Sequence, residues 1–263
     1  MKKKLGKKKF GIERILTILT VVVIIAAWFF VTGIGNVSEI IIPSPKSVWD
    51  SFIDVIQSGY KGHTLLEHLA TSLGRLLVAY LMVVITAVPL GLLSGYNSKI
   101  RAILEPVVEF YRPLPPLAYY TILVLWMGID EESKFTLLYL AGFAPVYISC
   151  VSGVMKIKDD LIYGAETLGA NKRQIFFYVI FPATLSDIFT GLRTALGVEY
   201  TTLVAAEMVA ATAGIGWLVL DASNYLRSDI VFMGVIIMGI TGILIDRIIR
   251  IIERKVIHWK GKS

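Results

Sequence analysis

The sequence predicts an all-α, polytopic membrane protein with about six transmembrane helices. Three observations lead there. First, 56% of the 263 residues are hydrophobic and only 17% are charged, against about 45–50% and about 25% in a soluble domain. Second, the apolar residues gather into runs near the length of about 20 that a bilayer-spanning helix needs. Third, lysine and arginine concentrate in alternate connecting segments, as expected when basic loops stay on the cytoplasmic side.

The first span covers about Ile12–Thr32, behind a basic start, MKKKLGKKK. A signal peptide fits less well. No charge occurs from Ile15 to Ser38, which exceeds a signal core of about 7–15 residues, and no A-x-A-like site follows. An outer segment comes next, containing IIPSPKSVWDSFIDVI. Pro43 and Pro45 enforce a turn, and Ser47 is the expected cap of a short amphipathic helix carrying Val48, Trp49, Phe52, Ile53 and Ile56. Trp49 is its expected anchor at the interface. Further spans cover about Leu65–Ser94, Pro106–Gly128, Phe135–Met155, Ala183–Thr212 and Asp229–Ile251.

Orientation follows from the basic residues. With the N-terminus inside, the inner segments hold Lys2, Lys3, Lys4, Lys99, Arg101, Lys156, Lys158, Lys172, Arg173 and a basic C-terminal stretch through Lys260 and Lys262. The outer segments hold only Lys46, Lys61, Lys134 and Arg227. Both termini are therefore expected in the cytoplasm. The net charge of +6 reads as contact with anionic membrane lipids, and no nucleic acid partner is implied.

Site chemistry is sparse. Cys150 is the single cysteine, so an intrachain disulfide is excluded, and it reads as a small apolar helix residue. His63, Glu67 and His68 lack the spacing of a zinc helix and read as an interfacial polar cluster. His258 stands alone in the basic tail. No nucleophile with a base and no phosphate loop is present, so catalysis and metal binding are not expected, and ATP chemistry would belong to another chain. Gly91 and Gly95 form a small-xxx-small pair suited to close helix packing. Pro89 beside them loosens its helix.

Two segments stand out. In Arg112-Pro113-Leu114-Pro115-Pro116 the prolines break the span, and backbone groups freed in a bilayer must be buried or line a cavity. The segment reads either as a turn or as part of a translocation path or gate. The span at about Ala183–Thr212 carries Arg193, Glu199 and Glu207, along with Asp187. At 100° and 1.5 Å per residue, Arg193 and Glu207 fall within about 40° of each other, about 21 Å apart. Such charges line a path or seam, or pair with Arg75 or Arg112.

The connection 156–182 is too structured for a plain loop. Asp159 and Asp160 open a short helix, Gly169 ends it, and a second short helix, about Lys172–Ile180, leads to a corner at Pro182. Its aromatic run, Phe176, Phe177, Tyr178 and Phe181, implies a docking partner or packing beneath the bundle. The segment resembles the EAA loop of permease subunits in bacterial ABC importers, E-A-A-x(3)-G-x(9)-I-x-L-P. Tyr163, Gly164, Ala165, Gly169, Val179, Phe181 and Pro182 stand at the motif positions. Tyr163 replaces the leading glutamate, and Glu166 follows three residues on.

The stretches IIPSP, RPLPPLAYY, FTGLRTALG, VAAEM and GIGWLVLDASNYLRSD resemble the subfamily for taurine, aliphatic sulfonates, nitrate and bicarbonate. The resemblance implies a type I ABC importer permease fold. It implies a second copy of the chain, two cytoplasmic ABC ATPase subunits carrying ATP and Mg, an external solute-binding protein and a bacterial inner-membrane location. It gives residues 1–63 as tail, first helix and outer segment, 64–251 as permease core and 252–263 as basic tail. It assigns coupling to Tyr163, Gly164, Ala165, Glu166, Gly169, Ala170 and Pro182. A self-sufficient channel or secondary transporter, or a vitamin or pyrimidine-precursor substrate, stays open at this point.

Overall fold

A computed structural model describes residues 6–34 and 37–257. The basic residues Lys2, Lys3, Lys4, Lys260 and Lys262, together with His258, lie outside the described residues. The described residues are helical, with no strand among them. They divide into two compact units, Met1–Leu65 with Leu218–Ile236, and Leu66–Trp217 with Ile237–Ser263.

The first unit holds α1 (Gly6–Gly33) and α2 (Pro45–Gln57). Apolar side chains point outward along most of α1, as a helix in lipid requires. Its Trp28 indole donates to the Pro43 carbonyl at 3.0 Å, and its ring lies 6.2 Å from that of Phe232. Helix α2 is capped by Ser44, not by Ser47 as expected from the sequence. The Ser44 hydroxyl accepts the Ser47 N–H at 3.1 Å, and Pro45 opens the helix, where a missing N–H costs nothing. Val48, Ser51 and Val55 are buried while Trp49 is exposed. The Ser51 hydroxyl donates to Asp229 at 2.6 Å, and the Tyr60 hydroxyl donates to Asp221 at 2.7 Å.

The second unit is built on α3 (Leu65–Tyr96), α4 (Ser98–Tyr111), α5 (Pro116–Met127), α6 (Glu131–Met155), α7 (Asp159–Thr167), α8 (Lys172–Ile175), a π-turn at Phe176–Ile180 and α9 (Phe181–Ala210). Two further helices, α10 (Ile215–Asn224) and α11 (Ser228–Val256), follow. Five helical stretches among the described residues are long and apolar enough to cross a membrane, and Pro116–Met127 is a shorter apolar helix.

The span expected at Pro106–Gly128 is in fact two helices. Asn97 starts α4 by accepting the Lys99 N–H at 3.0 Å, and Pro106 lies inside it. The chain breaks at Arg112–Pro115 and restarts at Pro116. Helix α9 also departs from expectation: the helical path runs unbroken from Lys172 to Ala210. Pro182 sets no corner in it.

The core of this unit is the contact of α3, α6 and α9. Gly91 and Gly95 let α3 close on α6: an added Cβ would lie 2.6 Å from the Cys150 Cβ at Gly91 and 2.5 Å from the Val154 Cβ at Gly95. This is the packing that small-xxx-small permits. Leu76, Ala79, Val83, Leu138, Val146, Cys150, Ile188, Leu192 and Leu203 fill the layer between the helices.

Candidate functional site

Three features of the second unit carry its chemistry: the connection 156–182, the charged cluster on α3 and α9, and a groove beside Arg112.

In the connection, Lys158 caps α7, and Asp159 and Asp160 occupy its first turn, where acids complement the helix dipole. Gly169 ends it with φ at +84°, a left-handed conformation that favours glycine. The Gly169 N–H returns to the Glu166 carbonyl at 2.9 Å and the Ala170 N–H to that of Ala165 at 3.0 Å, a Schellman closure. Asn171 and Gln174 then form a reciprocal capping box at 2.9 and 2.8 Å.

The segment has two faces. Ile175 and Ile180 are buried, and Ile162, Ala165, Ala170 and Phe176 pack against the same core. On the other side Tyr163 is 62% exposed, Leu168 89% and Tyr178 79%, and Phe177, Gly164 and Glu166 are exposed as well. The Lys156 ammonium lies 3.0 Å from Asp187, tying the start of the connection to α9.

The charges on α9 do not act as one band. Glu207 is fully buried and accepts from Arg75 at 2.8 Å, from Ser72 at 2.8 Å and from the Gly216 N–H at 2.9 Å. Arg75 also donates twice to Glu131 at 2.6 Å and once to the Ala213 carbonyl at 2.8 Å. The Gly214 N–H reaches His68 Nδ1 at 3.1 Å. Glu207 thereby fastens the turn 211–216 to α3. Arg193 turns to α11 instead, with Asp246 at 3.4 Å and Glu253 at 3.7 Å. Glu199 is fully buried, and neither of its oxygens has a hydrogen-bond partner; its side chain fills the space left by Gly142 on α6. Composition located these charges, but partner choice depends on tertiary packing that helical spacing does not encode. Arg75, one of the two partners expected from the sequence, is the one Glu207 takes, whereas Ser72 carried no signal there. The signal for Arg75 was an arginine at the edge of an apolar run.

Arg112 caps α4, and its N–H returns to the Val108 carbonyl at 3.0 Å. It lines a cavity of about 360 Å³ together with Tyr111, Pro113, Pro116, Tyr119 and residues of α6. Pro115 is the cap residue of α5. Arg112, Pro113 and Pro116 are thus brought together at a cavity, whereas Pro115, Arg193, Glu199 and Glu207 do not line it. Among the described residues no group of three or more His, Cys, Asp or Glu could hold a metal ion.

A family model described as "Binding-protein-dependent transport system inner membrane component" matches residues 87–258, a range that contains the connection, Glu207 and Arg112. The taurine transport system permease protein TauC of Escherichia coli (strain K12) is 39% identical over 248 residues, 94% of this chain and 90% of that protein. The putative aliphatic sulfonates transport permease protein SsuC of Bacillus subtilis (strain 168) is 34% identical over 261 residues, 99% of this chain and 92% of the relative. The nitrate import permease protein NrtB of Leptolyngbya laminosa is 29% identical over 247 residues, 94% and 88% of the two chains.

Proposed function

Since this chain belongs to the family of binding-protein-dependent transport system inner membrane components, and is thus a multi-pass, non-catalytic permease of an ABC transporter, we propose that it forms the import path for taurine or another small sulfonate or similar anion. In this reading two copies pair in a bacterial inner membrane with both termini in the cytoplasm. An external binding protein delivers the solute, and two cytoplasmic ATPase subunits, with ATP and Mg, drive the change between two packed states.

One observation carries the coupling part. Segment 156–182 is anchored by Ile175 and Ile180 while Tyr163, Leu168, Phe177 and Tyr178 stay exposed. An exposed apolar patch on a rigidly anchored element is what a docking partner needs. Tyr163, Gly164, Glu166 and Gly169 form the contact surface in this reading, and Ala165 and Ala170 seat it against the core. Pro182 lies at its junction with α9. The substrate class is supported by the similarity to TauC and SsuC.

The test is ATP-dependent uptake of labelled taurine into proteoliposomes holding the permease, its ATPase and its binding protein. Gly169→Glu should abolish uptake while the chain still inserts. Gly169→Asn, which tolerates the left-handed backbone, should retain it and so separates docking from backbone strain. Uptake at the wild-type rate by Gly169→Glu overturns the coupling assignment.

A further inference from the structure

The cavity at Arg112 continues into a second. The first, about 360 Å³, has Arg112 as the single charged residue in its lining. The second, about 260 Å³, shares Arg112 and Ile148 with it and adds Glu105, Glu109 and Lys156. The two adjoin at Arg112 and Ile148, making a groove lined from α4 and α6. Its charges are unequally engaged. Lys156 is held by Asp187 at 3.0 Å, and Glu105 lies 3.9 Å from Arg101. Arg112 and Glu109 stand 4.0 Å apart, with side chains 48% and 58% exposed. A pair at the outer limit of ion-pair distance and open to solvent is held together weakly, so a ligand can part it.

The place also matters. Helix α4 has 14 residues and α5 has 12, which at 1.5 Å per residue makes them about 21 Å and about 18 Å long. Arg112 stands at the break between them, where the chain leaves α4 before the apolar α5 begins. Irregular backbone in a membrane chain is tolerated where it is buried or lines a cavity, and this break lines one.

We propose that this groove holds the solute in transit and selects small zwitterions with one sulfonate and one ammonium group. Arg112 takes the sulfonate oxygens, for which a planar guanidinium fork is well matched. Glu109 takes the ammonium, so the solute enters the open pair and satisfies both ends of it. A plain anion gains Arg112 but meets the negative charge of Glu109 and Glu105. The cavity lined by both Arg112 and Glu109, about 260 Å³, lies below the about 300–1,000 Å³ typical of drug-sized ligands, so the solute is small. The inference rests on the import reading above and names its substrate class at residue level.

The experiment uses the permease assembled with its ATPases in nanodiscs, without binding protein, so that any selectivity belongs to the membrane chain. The probe is labelled 2-aminoethanesulfonate, displaced by unlabelled 2-aminoethanesulfonate or ethanesulfonate. Wild type should bind saturably and prefer the zwitterion by about tenfold or more, the size of one well-made charge contact. Glu109→Gln should bring the two competitors within about twofold of each other, and Arg112→Gln should remove binding of both, while each variant still co-purifies with its ATPase subunits. Arg112→Lys keeps the charge without the fork, replaces the glutamine variant if that one does not assemble, and should bind more weakly than wild type. The proposal is overturned if wild type shows no saturable binding, if Glu109→Gln keeps the wild-type preference, or if an assembled Arg112 variant binds as wild type does. Failure of the import reading would show separately, as absence of uptake by wild-type proteoliposomes with the complete set of partners.

Discussion

Replacing Glu207 by alanine tests whether a buried ionic cluster holds the turn 211–216 in place. Breaking a buried pair by removing one partner costs about 3–5 kcal/mol, because the other charge is left uncompensated. Arg75 keeps both bonds to Glu131 at 2.6 Å and the Ala213 carbonyl at 2.8 Å, so its own loss falls at the low end of that range. Ser72 and the Gly216 N–H also lose their acceptor, at about 1 kcal/mol or more for each buried group left unpaired. Together these come to about 5 kcal/mol, or about 10–20 °C in apparent melting temperature at about 2–4 °C per kcal/mol for a chain of this size. The assay is the fraction of monodisperse protein surviving heating in detergent, read by gel filtration. Hydrogen exchange should also quicken at residues 211–216. Glu207→Gln keeps an acceptor and should fall between alanine and wild type. If the alanine variant melts within about 2 °C of wild type, less than about 1 kcal/mol, the cluster does not hold the turn.

Three further outcomes are expected. Glu199→Met, unbranched and of similar length, should raise thermostability in the same assay, because it replaces a buried carboxyl without hydrogen-bond partners by an adaptable apolar chain; a fall in stability would mean that Glu199 holds a partner in the assembled protein. Gly91→Ala should cost about 1–3 kcal/mol by overpacking, since its Cβ would meet the Tyr147 carbonyl at 2.9 Å and the Cys150 Cβ at 2.6 Å; adding Cys150→Gly should recover part of that loss, and no recovery would count against the α3–α6 contact. Burial and the hydrogen bond to Asp221 raise the pKa of Tyr60. Its stabilising contribution is therefore complete below the ordinary tyrosine value of about 10 and lost as pH rises above it, so Tyr60→Phe should lose stability less steeply than wild type in that alkaline range, and parallel curves would refute the shift.

The sequence revealed most where a residue's local chemistry leaves one solution. The break at Arg112–Pro115 follows from prolines that have no N–H and restrict the residue before them, and the structure places it there. The left-handed Gly169 is of the same kind. What stayed hidden depended on choices between local solutions or on packing. Ser44 and Ser47 are both competent caps, and Pro45 at the first helical position decides for Ser44. Asn97 capped α4 upstream of Pro106, the residue at which the apolar run suggested a start. Helical spacing put Arg193 and Glu207 near one face of α9, yet one pairs with α11 and the other with α3, because the partners come from other helices.

Pro182 shows how far a correct local rule can mislead. A proline inside an α-helix clashes with the carbonyl four residues earlier, here that of Tyr178, so a corner was the simplest expectation. The chain instead opens one turn into a π-turn, in which the Phe181 N–H reaches the Phe176 carbonyl five residues back. The wider turn accommodates the ring, and the helix continues to Ala210. Both solutions satisfy the proline, and the sequence alone does not separate them. The mechanical consequences differ. A corner would let the exposed residues Phe177 and Tyr178 swing without moving the membrane span. A continuous helix, held by Ile175 and Ile180 in the core, carries a displacement at Tyr178 along its axis toward Arg193 and Glu207. In the proposed importer, the docking surface and the charged residues of α9 are therefore parts of one rod, and the connection 156–182 is the end of that rod.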